Sequence, residues 1–254
     1  MVLVTGAQRG IGFSCADAFA REGATVALAD VPGSAVNEAR KRLGGEGEHT
    51  AHERDLSEID AGQDLVAEVV QHHRQLNVLV NAAGILCISP FLDLSADDWD
   101  RTFAVNARGS IFLAQACARQ FVSQEQGGRI ILFASIIARS IVRPNNLAYC
   151  ASKAAVVQAA RCMALELAPH GVTVNVISPG STSTEMLVDV QARGDPEALR
   201  SVIAGNAAEW RLGIPLGRLA EPRDQAAMAL YLAGEGGRHI TGQELIIDGG
   251  QTVV

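Results

Sequence analysis

The chain has 254 residues, 48% of them hydrophobic and 19% charged, and a formal net charge of −7. That length suits one large domain or two small ones with a substantial core, and the composition excludes a disordered chain. An acidic balance without a Lys/Arg cluster speaks against nucleic acid or an anionic membrane as partner.

Short apolar runs alternate with longer amphipathic segments. "VLVT" (Val2–Thr5) predicts a strand, and Gly10–Glu22 the helix after it. "TVALAD" (Thr25–Asp30) predicts a second strand, then a helix over Ser34–Leu43 and a polar third strand around His49–Glu53. A helix is expected over Ser57–Arg74, with His72 and His73 solvated on it, and then a strand over Asn77–Gly84. Ser95, with acidic residues after it, signals a helix that ends near Asn106. A separate helix follows over Gly109–Gln124, a strand over Gly128–Ser135, and a long helix over Leu147–His170 stopped by Gly171. "VTVNVIS" (Val172–Ser178) is the next strand, Pro222–Ala233 the last helix and "ELIID" (Glu244–Asp248) the last strand.

Strands of near-continuous Val, Ile and Leu, separated by helices, imply a parallel sheet covered on both faces. Repeated βα units give a doubly wound α/β fold of about seven strands, in a single domain over residues 1–254. Ser181–Arg218 is irregular, and a long loop inside a compact domain predicts a substrate-binding lid. Five dispersed cysteines (Cys15, Cys87, Cys117, Cys150, Cys162) form no C-x-x-C pair. They read as reduced, mostly buried thiols of a cytoplasmic protein. The opening "MVLVTGAQRG" does not resemble a secretory signal, no apolar run reaches membrane-spanning length, and the scattered histidines predict no metal site.

"TGAQRGIG" (Thr5–Gly12) joins the first strand to the first helix. Gly6 permits a tight turn, while Gly10 and Gly12 let a pyrophosphate approach the backbone at a helix N-terminus. Asp30 ends the second strand, where a carboxylate accepts hydrogen bonds from the adenosine ribose hydroxyls and repels a 2′-phosphate. That favours NAD over NADP. Arg9, inside the turn, is the one residue that would favour NADP. "AYCASKAA" (Ala148–Ala155) places Tyr149 and Lys153 four residues apart on a helix, hence on one face. A phenol with a pKa of about 10 is a poor base at neutral pH unless a nearby cation lowers it.

In order along the chain come "TGAQRGIG", "NAAG" (Asn81–Gly84), Asn106, Ser135, "YCASK" (Tyr149–Lys153), "SPG" (Ser178–Gly180) and "DGG" (Asp248–Gly250). Together they resemble the short-chain dehydrogenase/reductase family over essentially the whole chain. The resemblance implies a Rossmann-type NAD(P)-binding domain and hydride transfer between a nicotinamide and a secondary alcohol or ketone. Tyr149 would exchange the proton with the substrate oxygen, and Ser135 would hydrogen-bond that oxygen. Lys153 would lower the tyrosine pKa and hold the nicotinamide ribose, and Asn106 would hold a relay water. Ser140 is the alternative to Ser135, but lies too deep in the loop to end a strand. Cofactor contacts are implied for Gly6, Gln8, Arg9, Gly10, Ile11, Gly12, Asp30, Asp55, Leu56, Asn81, Ala82, Gly84, Pro179, Gly180 and Thr184. Asp55 also reads as a helix cap.

The substrate wall is expected from Ile85–Pro90, Ile136–Asn146 and the lid, with Leu86, Ile88, Ile136, Ile137, Ile141, Met186, Leu187 and Trp210 as its apolar side chains. Arg143, ahead of Arg139, is the candidate to clamp a carboxylate. "VNAAGIL", "FAVN", "SPGSTSTEM" and "LGIPLGRLAEP" are similar to family members acting on carboxylated cyclic dihydrodiols such as 2,3-dihydro-2,3-dihydroxybenzoate. Related segments occur in 3-oxoacyl-carrier-protein reductases, which give the alternative activity. A non-catalytic dinucleotide sensor would show erosion of the Tyr/Lys/Ser/Asn set, which is intact. The family also implies a homotetramer or homodimer.

Overall fold

Seven short strands carry the fold: β1 (Val2–Thr5), β2 (Val26–Asp30), β3 (Thr50–Glu53), β4 (Val78–Asn81), β5 (Gly128–Phe133), β6 (Val172–Pro179) and β7 (Glu244–Ile247). In the computed structural model, which describes residues 1–191, 195–209 and 211–253, they form one parallel sheet in the order β3-β2-β1-β4-β5-β6-β7. The helices are α1 (Gly10–Arg21), α2 (Val36–Lys41), α3 (Ala61–His73), α4 (Ala96–Phe103), α5 (Ser110–Gln124), α6 (Leu147–Leu167), α7 (Pro196–Ala204) and α8 (Pro222–Ala233).

Strand side chains alternate between two faces, and each face must be covered. Leu3, Leu79, Ile130 and Val174 meet Leu65, Leu113, Phe121 and Val156 of α3, α5 and α6 on one side. Val4, Leu28, Val80 and Ile177 meet Cys15, Phe19, Ala226 and Leu232 of α1 and α8 on the other. Strand order reverses between β1 and β4. The connections after these two strands leave toward opposite faces, so a crevice opens at their carboxyl ends.

Several expectations need correction. Asn106 does not end a helix: a π-helical stretch, Ala104–Gly109, runs α4 directly into α5. Gly109 has helical φ here. It is glycine because a Cβ would stand 2.4 Å from the Leu56 carbonyl oxygen. The helix expected from Ser57 starts at Ala61, because Asp60 takes a left-handed φ of 67°. The segment 181–218, expected to be an irregular lid, is not irregular throughout. It contains α7, whose first turn is set by Pro196 and by the Asp195 carboxylate accepting the Glu197 N–H.

His73 is not simply solvated. The Thr50 hydroxyl lies 2.9 Å from His73 Nε2 and 2.8 Å from Nε2 of buried His52, whose Nδ1 meets Glu68 at 2.8 Å. Burial, then the neighbouring His72, lowers the His73 pKa. Cys15 and Cys117 are buried, but Cys87 and Cys150 are half-buried and Cys162 is exposed. Among the described residues no helix is long and apolar enough to cross a membrane.

The Gly109–Leu56 contact lies under the wall of the crevice. Gly109→Ala should cost about 1–3 kcal/mol through overpacking. The melting temperature should fall by several degrees. A calorimetric scan superimposable on that of the unmodified protein would contradict this packing.

Candidate active site

After β1 the chain turns through Gly6 (φ 64°) and Gly10 (φ 57°), both left-handed. A Cβ on Gly6 would lie 2.8 Å from Ala83 N, and one on Gly12 would lie 2.1 Å from the Gly6 oxygen. Only glycine lets the turn lie this flat against the chain leaving β4. The Arg9 side chain does not cap α1. The first-turn N–H groups of α1 are thus left without a side-chain cap at the crevice, the arrangement that suits an anion.

Asp30, at the end of β2, accepts the Gln8 N–H through Oδ2 at 2.9 Å and the Val31 N–H through Oδ1 at 2.8 Å. The Gln8 side chain accepts the Ala35 N–H at 3.1 Å, and Arg42 donates to the Gln8 carbonyl at 3.1 Å. The glycine turn and the Asp30 carboxylate therefore hold each other in place.

The crevice is a cleft of about 460 Å³ across the carboxyl ends of the strands. Gly6, Gln8, Arg9, Gly10, Ile11, Gly12, Asp30, Asp55, Leu56, Ala82 and Gly84 line one part of it. Ser135, Arg143, Tyr149, Lys153, Pro179, Gly180, Thr184 and Met186 line the rest. Asp55 does not cap α3. Its carboxylate accepts the Ser57 N–H at 2.9 Å and closes a turn beside the cleft.

Ser135 leaves β5 and opens a 3-10 turn, Ile136–Ala138. Its hydroxyl pulls the pKa of the Tyr149 phenol down, whereas Ser140 is exposed. Lys153 is buried, donates to the Phe133 carbonyl at 2.9 Å and lies 5.9 Å from the centre of the Tyr149 ring. Burial pushes the phenol up to about 12, against the pull of the Ser135 hydrogen bond. Burial also brings Lys153 down to about 8. The sequence expectation of a lowered tyrosine is therefore not met by these residues alone. The ammonium stands over the ring, and desolvation dominates both groups.

Two asparagines are placed differently from expectation. Asn81 lies behind the turn, buried, and accepts the Thr5 hydroxyl. Asn106 is fully buried and stands outside the cleft lining. Its amide nitrogen donates to Ile85 O at 2.9 Å and to Ser152 Oγ at 3.1 Å, while Oδ1 accepts the Ile85 N–H at 2.8 Å. The amide clamps backbone instead of reaching into the cleft. A Cβ on Gly84 would lie 3.1 Å from Lys153 Nζ and 3.2 Å from Asn106 Oδ1, so glycine leaves the lysine uncovered.

At the substrate end Leu86, Ile136, Ile137, Met186 and Leu187 line the cleft. Ile141 packs behind them, and Ile88 is exposed away from the lining; Trp210 lies outside the described residues. Arg143 lines the cleft and donates to Ser181 Oγ at 3.4 Å. Arg139 points elsewhere, 3.5 Å from Glu244. Sequence reading missed Arg54, Arg101 and Val105 in the lining, and covered Ser181 and Glu185 only through the segment 181–218. Arg101 and Val105 are i, i+4 neighbours leading to Asn106, and Ser181 directly follows "SPG". Those were the available signals.

These residues fit a dinucleotide. An uncapped helix start lies under a glycine turn, a fixed carboxylate stands at one side, and a buried cation faces a glycine at the other. Residues 6–252 match a family profile described as enoyl-(acyl carrier protein) reductase. The 2,3-dihydro-2,3-dihydroxybenzoate dehydrogenase of Escherichia coli strain K12 is 40% identical over 252 residues, covering 99% of this chain and 96% of that one. The chain belongs to the short-chain dehydrogenase/reductase family. The vibriobactin-specific 2,3-dihydro-2,3-dihydroxybenzoate dehydrogenase of Vibrio cholerae serotype O1 is 36% identical, covering 99% of this chain and 95% of that one. A crystal structure of a short-chain type dehydrogenase/reductase from Mycobacterium marinum superposes with a TM-score of 0.87 at 32% identity, covering 100% and 95% of the two chains.

Burial of the lysine in this short-chain dehydrogenase/reductase has a measurable sign. Lys153 titrates at about 8 when folded, against 10.5 for an unperturbed lysine. Between these values the unfolded chain holds the extra proton, so stability rises with pH. The urea midpoint of the unmodified protein should therefore climb relative to Lys153→Met from pH 8 to pH 10.5. A difference that stays constant across that window would reject the shift.

Proposed function

We propose that this oxidoreductase is an NAD-dependent dehydrogenase of a carboxylated cyclic dihydrodiol, of the 2,3-dihydro-2,3-dihydroxybenzoate type. The observation that carries it is one cleft lined by Asp30 and the glycine turn, by Ser135, Tyr149 and Lys153, and by Arg143. The two dihydrodihydroxybenzoate dehydrogenases above support the substrate class.

The N–H groups of the first turn of α1, with Gly10 and Thr184 beside them, hold the pyrophosphate. Asp30 takes the adenosine ribose hydroxyls. Its carboxylate is fixed by two backbone N–H groups, so a 2′-phosphate beside it would meet uncompensated repulsion. Arg9, in the glycine turn, lines the same cleft, and the fixed Asp30 carboxylate is weighed above its charge. Asp55, Leu56, Ala82 and Gly84 form the wall along the adenosine, and Pro179 and Gly180 the wall at the nicotinamide.

When bound, the oxidised nicotinamide supplies the hydride acceptor and a positive charge. Tyr149 takes the proton of the substrate hydroxyl, and Ser135 holds the same oxygen. Lys153 holds the nicotinamide ribose and stabilises the phenolate. Asn106 acts from behind by fixing Ile85 and bordering the space at Gly84. Arg143 meets the substrate carboxylate, and Met186 of the lid, residues 181–218, closes over the apolar ring. Exposed Phe112 on α5 and Leu165 on α6 form the apolar contacts of a homo-oligomer, a tetramer by family habit.

Tyr149→Phe should reduce kcat by at least about a thousandfold while NADH affinity, read by fluorescence titration, stays within a few fold; normal turnover would remove Tyr149 from the chemistry. Asp30→Ala should move the NAD/NADP ratio of kcat/KM toward NADP by about tenfold or more, and an unaltered ratio would reject the ribose contact. NADH formation over a panel of cyclic diols, with and without a ring carboxylate, tests the substrate class. Failure to oxidise any carboxylated member would overturn it.

A further inference from the structure

The substrate-side arginine has a support that no motif of the cofactor site explains. Asp248, Gly249 and Gly250 follow β7 directly. The Asp248 carboxylate accepts the Gly250 N–H at 2.9 Å and the Thr252 N–H at 2.7 Å, and both glycines have positive φ. This tight turn drives the next side chain, Gln251, inward until it is 2% exposed. Gln251 Oε1 accepts both the Ser181 N–H and the Ser181 hydroxyl, each at 3.2 Å.

The direction of these bonds matters. A serine hydroxyl has one proton and two lone pairs. With its proton committed to Gln251, Ser181 Oγ turns lone pairs toward the Arg143 guanidinium, 3.4 Å away. Ser181 and Arg143 line the cleft, and Gln251 stands behind them. Without the buried amide oxygen, the hydroxyl is free to rotate its proton toward Arg143, which has no acceptor to receive it.

We propose that Gln251 is a positioning residue: acting through Ser181, it sets the Arg143 guanidinium and thereby the selectivity of the cleft for a carboxylate beside the reacting ring. The inference rests on the reading that Arg143 meets the substrate carboxylate. A bidentate arginine contact depends on the orientation of its fork, so the effect falls on carboxylated ligands and not on the ring.

The test titrates benzoate and phenol into the NAD-loaded protein by calorimetry. Gln251→Met should weaken benzoate about tenfold and leave phenol within about twofold. Ser181→Ala should do the same, and the double variant should be no weaker than Ser181→Ala alone, because both act along one path. Gln251→Asn keeps the amide but withdraws the acceptor by one carbon, and gives the same selective loss should methionine not be tolerated. A purely structural role for Gln251 predicts equal loss for both ligands. That result overturns the proposal, as does unchanged benzoate affinity or the absence of saturable benzoate binding to the unmodified protein. Selective benzoate loss in a protein that oxidises no carboxylated dihydrodiol would leave the Gln251 assignment standing and remove only the substrate reading.

Discussion

Between β1 and β4 the sheet changes the direction in which strands are added, and everything chemical in this protein follows the gap that results. Chain leaving β1 crosses to one face and chain leaving β4 to the other, so nothing fills the space at their carboxyl ends. Gly6 keeps the first turn pressed against the chain beyond β4, and Gly12 lets α1 start against that turn, both at separations no side chain would allow. The same strand ends deliver Asp30, Ser135 and Pro179 to one edge of the sheet. A parallel sheet gathers residues from across the sequence at one edge because all its strands point the same way.

Burial then decides the character of the reacting pair. Tyr149 and Lys153 stand on a helix packed into the core, and desolvation moves each toward its neutral form. The protein alone therefore holds a phenol reluctant to ionise beside a lysine close to losing its charge. Neither residue on its own gives the phenol the charge that a general base needs at neutral pH. Gly84 keeps this corner open, since a side chain there would press on both Lys153 and Asn106.

The substrate end is built differently. Its apolar lining comes from the 3-10 turn after β5 and from Met186 and Leu187, while Arg143 bonds Ser181, which in turn bonds Gln251 of the C-terminal turn. These pieces are far apart in sequence and meet only because β6 and β7 are neighbours in the sheet.

The sequence by itself determined the seven strands, the glycine turn and the i, i+4 pair, because each is written in local signals; the strand order, with its switch between β1 and β4, is decided by the tertiary structure. It could not separate Ser135 from Ser140, or Arg143 from Arg139, without an argument about loop depth. The fold decides both, by facing Ser135 and Arg143 into the cleft and leaving Ser140 and the Arg139 side chain exposed. Local pattern also misread Asn106 and Gly109 as a helix break, where a close approach to Leu56 demands a glycine inside a continuous helical run. Asn81 and Asn106 carry family positions in sequence, yet only tertiary packing shows that their amides face backbone and Thr5 instead of the cleft. What remained hidden from the sequence was every contact between residues that are distant along the chain. Gln251 on Ser181 is the plainest case, since burial and hydrogen-bond direction are properties of the packed protein and leave no local trace.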